Sequence, residues 1–330
     1  MNKFNNEEFK LYKKILGMSQ KGLLYSMDYF LHRFYKKILT TNKYICAEGD
    51  VPVIVCAHLD TVFSKPPVNI FYDREENVIW SPDGAGHDDR AGIFMIMKLI
   101  GDGYRPHIIL STDEEQGCLG AAELAKLDLP FPDSKYIIQL DRRGAQDCVF
   151  YWGDNRDFIH YIESFGFVEA KGSFTDIVEY CPAWGICGTN LSVGYYNEHS
   201  QIEYLKVGEW YNTYFKVRKM LENPPVEKFV YTETKTMPLL NPYGFSFGGY
   251  EQCAKCKGFA LEEDLYRVRR KSNGKMEPFC IDCMMEGVNW CDKCNQPFEC
   301  DNPRENICDK CKGEINGARS TSKDDSGTKD

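Results

Sequence analysis

The side chains able to do chemistry fall in a few short stretches of this sequence. The first, IVCAHLDTVF, carries His58 and Asp60, and the second, SPDGAGHDDRAG, carries His87, Asp88 and Asp89. An apolar run ending in a histidine and, two residues on, an aspartate reads as a strand that delivers polar groups at its C-terminal end. Open parallel sheets place their sites there. Alternate strand residues share a face, so Asp60 can reach the His58 imidazole and fix its tautomer, as a zinc-bound histidine requires. In GHDDRAG, consecutive carboxylates directly before the apolar run AGIFMIMKLI put acid at a strand-to-helix turn. Glu114 and Glu115 follow the next apolar run, in TDEEQG; Asp141 closes another, in IIQLDRRG; His199 lies in the loop NEHSQIEYL. Taken singly, each is a cap, a turn or a solvated loop.

The elements that must position these groups can be read from periodicity. Residues 5–37 read as two helices that pack on the domain they precede, with His32 a surface or packing histidine. Strand signals follow at 43–47 and 51–57, and a hairpin at 69–80. A helix from near Asp89 to Leu99 leads to a strand at 107–111. A small-residue helix at 120–127 precedes a strand at 136–140. The pattern continues with a strand near 148–152, a helix at 156–165, another helix after SFTD, one strand through GICGTNLSVGYY and an amphipathic helix at 207–221. Apolar runs alternating with helical patterns indicate an α/β fold with a mostly parallel central sheet flanked by helices.

The ordered set AHLDTV, GHDDRAG and TDEEQG resembles the co-catalytic dinuclear zinc exopeptidases and deacylases. That superfamily includes peptidase T, carboxypeptidase G, acetylornithine deacetylase and the single-domain zinc aminopeptidases. The resemblance covers roughly residues 40–220. It implies a hydrolase of peptide or amide bonds, an exopeptidase of aminopeptidase type, with an N-acyl amino acid deacylase as the alternative. Carried over position by position, it makes Asp88 the carboxylate shared by two zinc ions, with His58 and Asp141 completing one and Glu115 and His199 the other. Cobalt or manganese can share such ligands. Glu114 resembles the general base that activates the attacking water, and Asp60 the aspartate that orients the first histidine. Asp89 reads as a cap of the following helix, and His87 as lining beside the bridge. One of Tyr195 and Tyr196 is a candidate oxyanion donor. Too few residues separate Asp141 from His199 for the lid domain that two-domain members insert, so the expected unit has none.

Composition narrows the classes. A net charge of -9 argues against a general nucleic-acid binder, whose affinity comes from neutralising phosphates with Lys and Arg. The start, MNKFNNEEFKLYKK, lacks an apolar signal-peptide core, and no run is long enough to span a bilayer. The expectation is a cytoplasmic protein that acts on a peptide or N-acyl amino acid and has no membrane contact.

Nine of the fifteen cysteines lie between Cys253 and Cys311. Eight form Cys-x-x-Cys pairs, Cys253/Cys256, Cys280/Cys283, Cys291/Cys294 and Cys308/Cys311, a pattern of structural zinc sites in which two knuckles close one tetrahedron. Two structural zincs are expected, in a small C-terminal zinc-ribbon-like module paired either sequentially or in a cross-braced manner, with Cys300 left over. Its expected role is a protein contact or purely structural, and a silent hydrolase scaffold recruiting a partner through it is the rival reading of the whole chain. The expected domains are a hydrolase over 1–222, a linker over 223–250, the zinc module over 251–313 and a disordered tail over 314–330.

Overall fold

The computed structural model describes residues 2–233, 250–256, 259–261, 265–285, 287–302 and 305–313. The chain divides into two units, Met1–Lys235 and Thr236–Asp330. Residues 234–249 of the expected linker and the expected disordered tail lie outside the described residues.

The first unit opens with helices α1 (Asn6–Leu16) and α2 (Gln20–Leu31). A capping box starts α1, in which the Asn5 side chain accepts from the Glu8 N–H and the Glu8 carboxylate accepts from the Asn5 N–H. Strands β1 (Ile38–Thr40), β2 (Tyr44–Ala47) and β3 (Val51–His58) follow, then the hairpin β4 (Phe71–Asp73) and β5 (Val78–Trp80), and helix α3 (His87–Gly101). Next come β6 (Pro106–Ser111), α4 (Leu119–Leu124), β7 (Ile137–Arg142), β8 (Asp147–Val149), α5 (Arg156–Glu163), β9 (Val168–Glu169) and α6 (Ile177–Trp184). The unit continues with β10 (Gly188–Ser192), β11 (Tyr195–Tyr196), β12 (Tyr204–Lys206) and α7 (Val207–Glu222).

Eight strands form the central sheet in the order β1-β2-β6-β3-β7-β10-β8-β9. Its middle, β6-β3-β7-β10, is parallel, so the C-terminal ends of those strands lie along one edge. Strand alternation separates two apolar layers. Val53, Val55 and Ala57 of β3 join the core beneath the N-terminal helices, α3, α5 and α7, whereas Ile54 and Cys56 join the core under α4 and α6. Each large apolar side chain so buried contributes about 1.5–3 kcal/mol. His58 and Asp60 continue the parity of Ile54 and Cys56, and the chain leaves the sheet with both at its C-terminal edge.

The single strand expected through GICGTNLSVGYY is two. β10 belongs to the large sheet and β11 to a second, four-stranded sheet of order β11-β12-β5-β4. Gly194 makes the break at a φ of +90°, where a Cβ would stand 2.7 Å from the Trp210 backbone nitrogen. Such a conformation and approach suit glycine alone. The strands missed in the sequence, β1, β9 and β12, are of two or three residues, too short for an alternation to register. After α7, Val230 and Glu233 bridge to Ile186 and Gly153, so this stretch of the expected linker is part of the first unit.

The second unit contains the hairpin β13 (Tyr250–Gln252) and β14 (Phe259–Leu261), then β15 (Tyr266–Arg269), β16 (Met276–Phe279), the short helix α8 (Ile281–Met285), β17 (Val288–Trp290) and β18 (Pro297–Glu299). Its larger sheet has the order β16-β15-β18-β17. No helix among the described residues is long and apolar enough to cross a membrane.

Candidate metal centre

The ends of β3, β6 and β7 and the start of α3 converge. β3 delivers His58, fully buried, with Nδ1 3.3 Å from Asp60 Oδ1 and Nε2 3.0 Å from Asp88 Oδ1 and 3.4 Å from Asp141 Oδ1. On the other side of Asp88, Oδ2 stands 3.2 Å from His199 Nε2, which is also 3.0 Å from Glu115 Oε2. Three groupings bring donor atoms close enough together to hold one ion, His58/Asp88/Asp141, Asp88/Glu115/His199 and His58/Glu114/Glu115. The first two share Asp88. Glu114 stands outside that pair of groups, its Oε2 3.9 Å from His58 Nε2. Adjacent glutamates thus point to different parts of one pocket.

Each side chain has a local reason for its position. Asp60 accepts the Glu114 N–H with Oδ1 and the Glu115 N–H with Oδ2, both at 3.1 Å, and so holds the turn after β6 to the end of β3. The Asp88–Asp89 peptide is cis, and regular helical geometry begins only after Asp89. Asp89 caps the helix, its Oδ1 accepting the Gly92 N–H at 2.9 Å, while Oδ2 accepts the His58 N–H at 3.2 Å. Asp141 is held at both oxygens, by the Thr175 hydroxyl at 2.6 Å and the Tyr195 hydroxyl at 3.2 Å. Asn190 fixes its backbone, accepting the Asp141 N–H and donating to its carbonyl.

Two sequence expectations resolve differently from one another. His87, read as lining beside the bridge, turns out of the ligand cluster. Its Nδ1 accepts from the Tyr12 hydroxyl at 2.7 Å and its Nε2–H donates to the Ile79 carbonyl at 3.1 Å. Neither tyrosine before His199 is aimed as an oxyanion donor. Tyr195 is engaged with Asp141 and Tyr196 donates to Glu209, because successive strand residues point to opposite faces and each finds a carboxylate. His32 lies on the surface beside Asp28.

The electrostatics suit cations. Burial, then the neighbouring Asp88 charge, pushes the Glu115 and Asp141 carboxyls above their ordinary range, and burial with Asp141, Asp176 and Glu115 does the same to Glu114. The cluster is short of positive charge. Glu115 Oε1 is in addition buried with no hydrogen-bond partner. An acid-rich pocket with a free buried oxygen and two imidazoles is a donor set fit for divalent ions. Access is one-sided: the His199 side chain is 52 % exposed and His58 is not exposed at all.

Thr175, Asn190 and Glu203 escaped the sequence reading. Each is a polar residue in a loop or strand, and nothing in its spacing marks it.

In the second unit the cysteines group sequentially, Cys253/Cys256/Cys280/Cys283 and Cys291/Cys294/Cys308/Cys311, which decides between the two pairings left open by the sequence. Sulfur separations of 3.7 Å (Cys256 to Cys280) and 3.8 Å (Cys294 to Cys308) match the edge of a tetrahedron, about 3.8 Å, around an ion about 2.3 Å from each sulfur. Burial opposes the thiolate of Cys253, yet the N–H groups of Cys256, Cys280 and Lys255 bring its thiol down to about 6. Cys300 is buried and belongs to neither group.

No protein-family model matches this sequence, and no curated protein matches it. Solved structures do. The aminopeptidase PepT of Bacillus cereus is similar at a TM-score of 0.52 and 13 % identity, over 66 % of this chain and 98 % of its own. A tripeptidase of Staphylococcus aureus is similar at 0.55 and 10 %, over 67 % and 99 %. An aminopeptidase of the archaeon Desulfurococcus kamchatkensis is similar at 0.51 and 13 %, over 66 % and 95 %. At these identities the likeness is one of fold: the chain has the α/β fold of the exopeptidases that its motifs resemble.

Proposed function

We propose that this protein is a metal-dependent hydrolase of peptide bonds, an exopeptidase of aminopeptidase type. The observation that carries the reading is Asp88 standing between two ligand groups, each of which adds one imidazole and one further carboxylate. His58 and Asp141 would hold one ion, Glu115 and His199 the other, with Asp88 common to both. A pair of zinc, cobalt or manganese ions supplies a nucleophile at neutral pH and neutralises charge developing on the carbonyl oxygen.

The remaining work falls to this chain's own side chains. Glu114, buried but not committed to either group of ligands, takes the proton of the attacking water and returns it to the leaving amine. Asp60 keeps the His58 ring oriented through Nδ1 and holds Glu114 and Glu115 through their N–H groups. Substrate enters from the half-exposed His199 side. The names of the similar structures, aminopeptidases and a tripeptidase, support the same substrate class. The two four-cysteine groups would hold two structural zincs and fold the second unit.

Assaying short peptides with free amino termini beside N-acylated amino acids tests this reading. Cleavage of the first set alone is expected. Cleavage of the second alone would make the protein a deacylase, and wild-type protein loaded with metal yet silent on both would leave only a binding scaffold.

A further inference from the structure

Glu203 is 1 % exposed and belongs to neither ligand group. Four positions after His199 in the chain, it reaches back to the start of α3. Its Oε2 accepts the Gly86 N–H at 2.6 Å and its Oε1 the Asp88 N–H at 3.0 Å, with the intervening His87 N–H also turned to it. Gly86 adopts a φ of +66° and has Thr61 where a Cβ would go, so successive N–H groups can face one anion. α3 has no capping side chain of its own at Gly86. Asp89 caps the first regular turn, and the N–H groups ahead of it are held from the loop that bears His199.

That loop needs restraint. Asn197 and His199 both have positive φ, +56° and +61°, a conformation that costs a non-glycine residue energy unless its surroundings impose it. The loop is closed by the Ser200 hydroxyl on the Asn197 carbonyl and the Glu203 N–H on the Ser200 carbonyl. The Asp88 turn is gripped from its other side through His87, which bonds Tyr12 of α1 and Ile79 of β5. Ile79 is in turn paired with Leu205 of β12, two residues beyond Glu203. One carboxylate therefore links the backbone of Asp88 to the segment that places the His199 imidazole.

We propose that Glu203 is a positioning residue of the metal centre: by tying the Asp88 turn to the His199 loop it sets the separation of the ligands Asp88 and His199. The inference rests on the hydrolase reading above. A helix cap and nothing more would change stability alone; a positioning role changes how tightly one particular ion is held.

Glu203→Gln is nearly isosteric but offers one oxygen, so an amide N–H₂ faces one of the backbone N–H groups and half of the tie is lost. The test is a calorimetric titration of full-length protein, its carboxylate site stripped by a chelator, with Mn²⁺, which prefers oxygen and nitrogen ligands to thiolates. Wild type should take up two ions in the first unit. Glu203→Gln should hold one of them as wild type does and the other about 10–100-fold more weakly, beside the modest fall in the unfolding midpoint of the stripped protein that one unpaired N–H brings. Two ions bound with wild-type affinities would overturn the proposal, as would a lowered midpoint with no selective loss of affinity. Should Glu203→Gln not fold, Glu203→Asp, shorter by one methylene, is scored by the same criteria. Wild-type protein that binds no Mn²⁺ would overturn the hydrolase reading itself, a result distinct from normal binding by the variant.

Discussion

Asp88 and His199 meet at 3.2 Å, one at the start of a helix and the other in the loop between β11 and β12 of the smaller sheet. The second oxygen of Asp88 stands 3.0 Å from His58, so a single carboxylate serves both ligand groups. Asp88→Ala should therefore lower the metal content of the full-length protein by about two ions per chain and leave the thiolate-bound zinc in place. Elemental analysis after gel filtration reads the difference. A loss of one ion would sink the idea of a shared ligand.

Glu114 lies in the pocket beside His58, outside the two ligand groups that share Asp88. Replacing it by Gln keeps the shape and removes the base. Hydrolysis should fall by about 10²–10⁴-fold while metal content stays at the wild-type value. Full activity in a variant that keeps its metal would assign the base elsewhere.

Asp60 connects three site residues through one carboxylate, facing the His58 ring and accepting the N–H groups of Glu114 and Glu115. Asp60→Ala leaves these donors unpaired and frees the ring. Metal affinity in the first unit should drop about 10–100-fold, measured by competition with a chelating dye; unaltered affinity would count against the orienting role.

The two groups of four cysteines should make folding of the second unit depend on metal. Binding of about 10–16 kcal/mol per structural zinc exceeds what a core as small as Val268, Phe279 and Phe298 with their neighbours contributes. A strong chelator should release the thiolate zinc and expose residues 250–313 to limited proteolysis. Resistance of that stretch in the zinc-free protein would show that apolar packing suffices.

His107 provides a pH-dependent term away from the metal centre. Burial lowers its pKa below the ordinary histidine value against the opposing pull of Asp133, Glu48 and Asp50. Its ring stacks on Phe131 at 4.4 Å, Nδ1 accepts the Gly49 N–H at 3.1 Å and Nε2 faces Asp133 at 3.2 Å. A folded-state pKa below the unfolded one gives stability that is complete above the unfolded value, about 6.5, and declines as pH falls beneath it. Thermal scans from pH 8 to pH 5 should show a shallower fall in Tm for His107→Phe than for wild type. The variant should start lower by the cost of the unpaired Gly49 N–H, about 1–3 kcal/mol. Parallel slopes would remove His107 from the pH response.

Much of this molecule was legible in one dimension because its signals are local. Apolar runs such as Ile54–Ala57 and 107–111 announce buried parallel strands, and a carboxylate or imidazole just past each run has to emerge at the same edge of the sheet, since parallel strands end on one side. Cysteine pairs at knuckle spacing likewise announce thiolate sites wherever they fold. That is why the α/β class could be written down from residue types and spacing, whereas the catalytic ligand candidates were implied by the family resemblance of three ordered motifs. What the chain alone left open depended on distance through space. The pairing of the cysteine knuckles, the break at Gly194 that sends β10 and β11 to different sheets, the turning of His87 toward Tyr12 and of Tyr195 toward Asp141, and the reach of Glu203 to Gly86 and Asp88 were decided only by tertiary structure. A buried polar group must find a partner, and that partner was set by which segments pack together, a relationship between residues remote in sequence that no local spacing encodes.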